Sequence, residues 1–278
     1  QSPRCFWKKI DAHLKRLGFT RSVIDPCIMY RIGIHPETKK HEFSVLALVV
    51  DDIVLATNLP RGIFLREMEQ EFKMKDIGDL EYCLGLKVTR NREKHELELS
   101  QEGYIQCVLR TFAMESEHVA PTRTPCATGP PLGRADAVKY ADGEEHPWPF
   151  RSLLGSIMYA CVTRVDIQYA VSIVAKFCTT PGIKAWTALR RILRYLRTTS
   201  KRTVKLGGVN PILYVFADAD WCGDPDELRP TSGVLVYLGR GPLVYYARLQ
   251  KATALSTTDS EFMASGDAVF GPPHDTRV

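Results

Sequence analysis

Hydrophobic positions along this chain switch between helical spacing and strand-like runs. Phe6, Ile10, Leu14 and Leu17 recur at helical spacing, and Gly18 follows as a stop. Asp25-Pro26 breaks the chain before residues 27–34, which read as a strand. The polar turn 35–40 leads into a second strand, 42–50. Asp51-Asp52 interrupts that apolar run, and residues 53–56 resume it. Two apolar runs joined by a short acidic step predict a β-hairpin buried on at least one face. Together these segments predict a three-stranded antiparallel meander with a helix packed on it. Residues 61–74 turn helical again, with Phe64, Leu65, Met68 and Phe72 on one side and Gly78 closing the segment. Residues 81–88 predict a short strand. The strict alternation of 96–100 predicts another, with Leu97 and Leu99 inward. Residues 101–112 are amphipathic through Tyr104, Ile105, Val108, Leu109 and Phe112.

The pattern lapses over 114–149, where Pro121, Pro125, Pro130, Pro131, Pro147 and Pro149 predict an extended linker. Three helical stretches follow. Residues 152–161 turn Leu153, Leu154, Ile157, Met158 and Cys161 inward. Residues 167–177 do so with Ile167, Ala170, Val171, Val174 and Phe177, and 184–198 with Leu189, Ile192, Leu193 and Leu196. On the last of these, Arg190, Arg194 and Arg197 share the opposite side, with Arg191 nearby. That side is either a solvated basic face or a ridge that tracks phosphates. Beyond it, strands are predicted at 212–217, 233–238 and 243–247, with 218–229 a polar loop and 251–256 a further candidate strand. Thr258-x-x-Glu261 then has the form of a capping box opening a helix.

Composition narrows the class. The chain has 278 residues, 45% hydrophobic and 25% charged, which suits a soluble globular protein of about two domains. No apolar stretch approaches the roughly 20 residues of a membrane span, and no signal peptide opens the chain. The eight cysteines form no C-x-x-C pair and no Cys/His cluster, so they predict reduced intracellular thiols and not a disulfide framework or zinc site. The net charge of +5 is modest. The chain opens on Gln1 rather than Met, as a fragment would.

Asp51 and Asp52 are the chemistry-bearing pair. Two adjacent carboxylates beside an apolar core are costly unless something positive sits with them. A divalent cation is one such partner, since hard ions such as Mg²⁺ prefer oxygen ligands. A plain Asp-Asp turn facing water is the other reading.

Ten short stretches in order carry a resemblance. Gln1-Ser2-Pro3-Arg4, Leu17-Gly18-Phe19, Asp25-Pro26-Cys27 and Val50-Asp51-Asp52 come first. Met74 to Leu80 and Leu84-Gly85-Leu86-Lys87-Val88 follow. Arg151 to Ser156 with Arg194-Tyr195-Leu196 come next, and Ala217 to Asp224 with Ala254 to Phe262 close the series. In this order the chain resembles the Pol polyprotein of copia-type LTR retrotransposons, from Gln1 to about Ala264. Val49 stands where that family has Tyr, Val165 where Pro is usual, and Pro230 where an Arg precedes Thr231-Ser232-Gly233. Arg248-Leu249-Gln250 replaces a Ser-Lys-Lys-Gln-like run, and 270–278 leaves the family pattern.

The resemblance implies an α+β chain with four parts. They are a partial reverse transcriptase palm and thumb over 1–113, the linker 114–149, a helical connection over 150–210, and a truncated ribonuclease H-like α/β sheet over 211–278. It implies an RNA-directed DNA polymerase with ribonuclease H, a nucleotidyltransferase of transposition and DNA integration. Two Mg²⁺ or Mn²⁺ ions would sit about 4 Å apart in each active site. Asp51 and Asp52 would be polymerase ligands, and Asp218 and Glu261 ribonuclease H ligands. Gln1, Arg4, Leu84, Gly85, Arg190, Arg194 and Arg197 would contact nucleic acid. RNA template, RNA–DNA hybrid, dNTP and the rest of the polyprotein, fingers and integrase included, would be partners. The place would be intracellular, in a cytoplasmic particle or the nucleus, with no membrane. Each carboxylate set lacks family members that would lie outside 1–278, so the chain alone is expected to be inactive. The competing reading is a non-catalytic nucleic-acid-binding remnant of a decayed element.

Overall fold

The computed structural model describes residues 2–115, 120–129, 132–140, 147–209, 211–221, 223, 225–226 and 228–270. It divides into two compact units, 1–80 and 81–278. In the first, α1 (Ser2–Arg16) buries Ile10 and Leu14 and ends where Gly18 takes φ +88°, a conformation that a β-carbon resists. The strands β1 (Thr20–Arg21), β2 (Ile28–Ile34), β3 (His41–Val49) and β4 (Asp52–Thr57) form one antiparallel sheet in chain order. The expected meander thus gains β1 at its edge. Met29, Leu46 and Leu55 face one another across β2, β3 and β4, as Leu48 and Ile53 do across the last two. This side packs with Ile10, Leu14, Phe64 and Met68 from α1 and from α2 (Arg61–Glu69). The second helix is shorter than the expected 61–74. Past its end Phe72 turns edge-on to the rings of Phe6 and His13, with centroids 6.0 and 5.5 Å away, and the chain leaves helical geometry.

The second unit holds two sheets and a helical core. The strands β5 (Tyr82–Cys83), β6 (Leu86–Asn91), β7 (Glu96–Ser100) and β8 (Val204–Gly207) pair antiparallel in that order. The strand expected at 81–88 is instead a tight hairpin. Leu84 and Gly85 take φ of +48° and +71°, the signs a two-residue loop needs to match strand twist. Leu97 points outward rather than inward, at 36% exposure. The helices α3 (Glu102–Thr111), α4 (Phe150–Ala160), α5 (Gln168–Ala175) and α6 (Ile183–Thr198) share one core, with Leu109, Leu153, Ile157, Leu189 and Leu193 fully buried. Met158, expected inside, faces out.

The strands β9 (Leu213–Ala219), β10 (Thr231–Leu238) and β11 (Gly241–Leu249) form the other sheet with β10 central, and α7 (Thr257–Phe270) packs on β9 and β10. Residues 251–256 are not a strand. Gln250 ends β11, and its Nε2 donates to Ser232 Oγ and to the Ser260 carbonyl, both at 2.9 Å. The cap of α7 also lies elsewhere than expected. Ser256 Oγ accepts the Asp259 N–H at 3.1 Å, and the Asp259 carboxylate accepts the Leu255 N–H at 3.0 Å. Glu261 therefore takes no part in capping.

One buried ionic cluster ties the first unit together. Arg31 on β2 gives two parallel bonds to Glu67 of α2, at 3.0 and 2.9 Å, and one to the Leu17 carbonyl at 2.7 Å. Its Nε lies 2.8 Å from the Glu42 carboxylate of β3. Burial works against the Arg31 charge, but the bonds to Glu67 and Glu42 outweigh it and hold its pKa above the usual arginine value. His35 Nε2 adds a 3.3 Å contact to Glu67, while its Nδ1 accepts the N–H groups of Glu37 and Thr38. Breaking a buried ion pair from one side leaves uncompensated charge and costs about 3–5 kcal/mol. Arg31→Met is expected to lose that much in urea unfolding. A loss under about 1 kcal/mol would show that the cluster does not hold this unit.

Candidate functional site

Pairing of β3 with β4 runs from Ser44↔Thr57 to Val49↔Asp52, so the hairpin loop is Val50-Asp51 alone. A loop this short requires positive φ, which only Gly, Asn or Asp tolerate well. Val50 supplies it at φ +55° with its side chain 82% exposed, and a β-branched residue there is strained. Asp51 and Asp52 are both exposed, and neither carboxylate bonds to another described residue. The carboxylates expected beside the core instead stand in water at the tip, which removes the burial penalty.

Strand alternation fixes where the tip sits. Asp52 shares a sheet face with Val49, Ala47, Val54, Val45, Tyr30, Ile32 and Phe43. No residue of that face is buried, and Ile32 and Phe43 are 63% and 55% exposed. The two helices cover the other face. The result is a bare apolar floor with two partner-free carboxylates at one end. Their oxygen-only donor set fits a hard cation such as Mg²⁺ or Mn²⁺. Among the described residues no group of three or more His, Cys, Asp or Glu forms a complete cage.

The other sequence candidates scatter. Gln1 lies outside the described residues, and Arg4 is exposed on α1. Leu84 and Gly85 form the β5–β6 turn in the second unit. The Leu84 carbonyl accepts the Tyr159 hydroxyl of α4, and the Leu84 side chain is exposed. On α6, Arg190 is exposed with Nη2 3.4 Å from Met114 Sδ, and Arg191 donates to Thr124 Oγ1 at 2.9 Å. Thr198 Oγ1 donates to the Thr122 carbonyl. Met114, Thr122 and Thr124 thus lie along the basic side of α6, and Arg194 and Arg197 are half-buried. Asp218 is part of β9 and not of the loop after it. It pairs with Gly233 and so shares the face of Ala247 and Tyr245. Glu261 is on α7, which meets the opposite face through Ser232 and Tyr246. Asp218 thus lies near the end of β9 and Glu261, exposed, near the start of α7.

A second buried charge cluster was not singled out in the sequence. Arg164, 1% exposed, sits at the corner between α4 and α5. It gives Nε and Nη2 to the two Asp166 oxygens at 2.9 and 2.8 Å, and binds the Thr199 carbonyl at 3.0 Å. Tyr195 and Arg202 also donate to Asp166, at 2.6 and 3.0 Å. Burial pushes the Asp166 carboxyl up, but the bonds from Arg164 and Tyr195 and the two guanidinium charges prevail and hold it below the usual aspartate value. An Arg two residues before an Asp is the only local signal of this cluster.

Residues 1–127 match the family model described as reverse transcriptase (RNA-dependent DNA polymerase). The chain is 35% identical over 271 residues to the retrovirus-related Pol polyprotein from transposon TNT 1-94 of Nicotiana tabacum, covering 95% of this chain and 20% of that protein. It is 34% identical over 266 residues to the corresponding polyprotein from transposon RE1 of Arabidopsis thaliana, covering 94% and 17%. It is also 30% identical over 222 residues to an uncharacterized mitochondrial protein of Arabidopsis thaliana, covering 79% of this chain and 89% of that one. The chain thus spans about a fifth of the transposon polyproteins it matches. No solved structure matches it significantly.

Two outcomes follow from this geometry. Val50→Gly removes the β-carbon from a positive-φ position and is expected to raise stability by about 1 kcal/mol. A lower urea midpoint in that variant would contradict strain at the tip. Asp166 has a depressed pKa, so its contribution is present above the unfolded-state value and fades as pH falls through the folded one. Asp166→Asn should be less stable than the parent at pH 7, and the gap should close as pH is lowered below 4. A gap constant with pH would contradict the ionic role.

Proposed function

Because the chain belongs to the family of retrovirus-related Pol polyproteins of copia-type transposons, we propose that it carries part of the catalytic centre of an RNA-directed DNA polymerase. The observation that supports this most is the Asp51–Asp52 tip. Two partner-free carboxylates stand at the end of a rigid hairpin, within the segment that matches the reverse transcriptase model. Unit 1–80 is read as a palm portion, and the bare apolar face as the floor on which a primed RNA template rests. The stretches after residue 80 are read as thumb, connection and ribonuclease H-like parts of the longer polyprotein, with α6 and the Leu84-Gly85 turn as further contacts to the RNA–DNA hybrid.

In this reading Asp51 and Asp52 would hold divalent cations through their oxygens. A bound ion supplies positive charge to the attacking 3′-oxygen and the triphosphate of the incoming dNTP. The protein's own contribution is placement. The β3–β4 ladder fixes both carboxylates, and the Arg31 cluster fixes the sheet. Asp218, near the end of β9, and Glu261, near the start of α7, are read as two carboxylates of the ribonuclease H-like part.

The test uses a complete polymerase domain built around this chain. Asp51→Asn and Asp52→Asn should each reduce Mg²⁺-dependent primer extension by about 10²–10³-fold, the size of loss seen when one transition-state charge partner is removed. Their urea midpoints should stay close to the parent's, since neither side chain has a partner. Parent-like extension by either variant would end the assignment.

A further inference from the structure

The corner built on Arg164 is used by no part of the polymerase reading, yet it walls a cavity of about 380 Å³. Three elements meet there. They are residues 163–166 between α4 and α5, residues 202–205 leading from α6 into β8, and the β10–β11 hairpin with Tyr237, Arg240 and Pro242. Arg164, Arg202, Lys205 and Arg240 line it against one lining carboxylate, Asp166.

The charge balance is specific. Asp166 is saturated by Arg164, Tyr195 and Arg202. Behind the cavity, Glu96 is ion-paired with Arg240 at 2.6 Å, and Glu98 accepts the Thr203 hydroxyl and stands opposite Lys205 in the β7–β8 ladder. Four cations against these three carboxylates leave a surplus of one positive charge. Donors remain free as well. Arg202 engages Nη1 alone, Arg240 is 55% exposed on its side chain, and the Lys205 ammonium makes no hydrogen bond to a described residue.

We propose that this groove binds the backbone of a nucleic-acid single strand. One phosphodiester would be held by Arg202, Lys205 and Arg240, with its sugar and base against Tyr237 and Pro242. Size and charge select this ligand. About 380 Å³ is at the small end of ligand clefts, large enough for roughly one nucleotide. A surplus of one charge matches one phosphodiester and falls short of the several charges of a free triphosphate. Tyr237 is half-buried, and an aromatic with an accessible ring beside basic donors is the usual platform for an unpaired base. The site rests on the reading that the chain handles nucleic acid, but it lies in the second unit and uses none of the tip residues.

The test is fluorescence anisotropy of a labelled twelve-nucleotide single strand with the full chain. Lys205→Gln/Arg240→Gln should bind about ten-fold more weakly at low salt. The slope of log affinity against log salt should shrink by about 1.4, two contacts at roughly 0.7 each. Lys205→Gln alone, which breaks no ion pair, should give about half that change, and Lys205→Arg should restore it. Inorganic tripolyphosphate at equal phosphate should displace the strand poorly. Parent-like affinity and slope in both Gln variants, or no strand binding by the parent, would overturn the groove. Displacement by tripolyphosphate at equal phosphate would overturn the phosphodiester as its ligand. None of these results bears on Asp51 and Asp52, whose role is read by extension.

Discussion

The closure of Arg31 on Glu42 and Glu67 decides which side of the first sheet is inside. Period-2 alternation along β2 offers two faces. One carries Ile28, Tyr30, Ile32 and Ile34; the other carries Met29, Arg31 and Gly33. Apolar burial alone would favour the first. The structure buries the second, because the guanidinium finds two carboxylates and a carbonyl there and stacks over the Phe19 ring with its centre 4.5 Å from the ring centroid. An arginine so partnered can be buried, whereas one left alone cannot. Helices α1 and α2 then cover this face, and the more apolar face stays open. The hairpin tip inherits that orientation, which puts Asp52 on the open side. In this way a stabilising cluster far from the tip sets what the tip can reach.

The second unit repeats the device at another place. Arg164 is buried because Asp166 and the end of α6 satisfy it, and this pins the α4–α5 corner to α6. Two guanidiniums around one carboxylate leave net positive charge at a concave surface. Structural satisfaction and anion affinity therefore come from the same residues. Cys161 next to this corner shows the opposite effect, its thiol pushed by burial to about 11 and so held neutral.

Much of the fold was legible because long, strongly periodic segments leave little choice. The cores of α1, α3, α4 and α6 and the strands β3 and β4 follow from spacing alone. The failures have specific causes. Three consecutive hydroxyl residues, Ser256, Thr257 and Thr258, compete to cap α7, and Asp259 decides for the first by reaching back to Leu255. The strand expected at 81–88 folds on itself because Gly85 permits a turn that leaves Leu84 at positive φ. Arg31 was missed because its partners lie 11 and 36 residues away, beyond any local pattern. At the site, the acidic step and its hairpin were legible, but the freedom of both carboxylates and the bare floor were not. Those depend on which face is buried.

Manganese-induced line broadening in NMR spectra of the ¹⁵N-labelled chain tests the tip most directly. Mn²⁺ titrated into residues 1–278 with a primed RNA template should first broaden the amide signals of residues 49–53, and Asp51→Asn/Asp52→Asn should abolish that broadening. Broadening centred elsewhere, or unchanged by the double substitution, would contradict the tip as the place where this chain holds a cation.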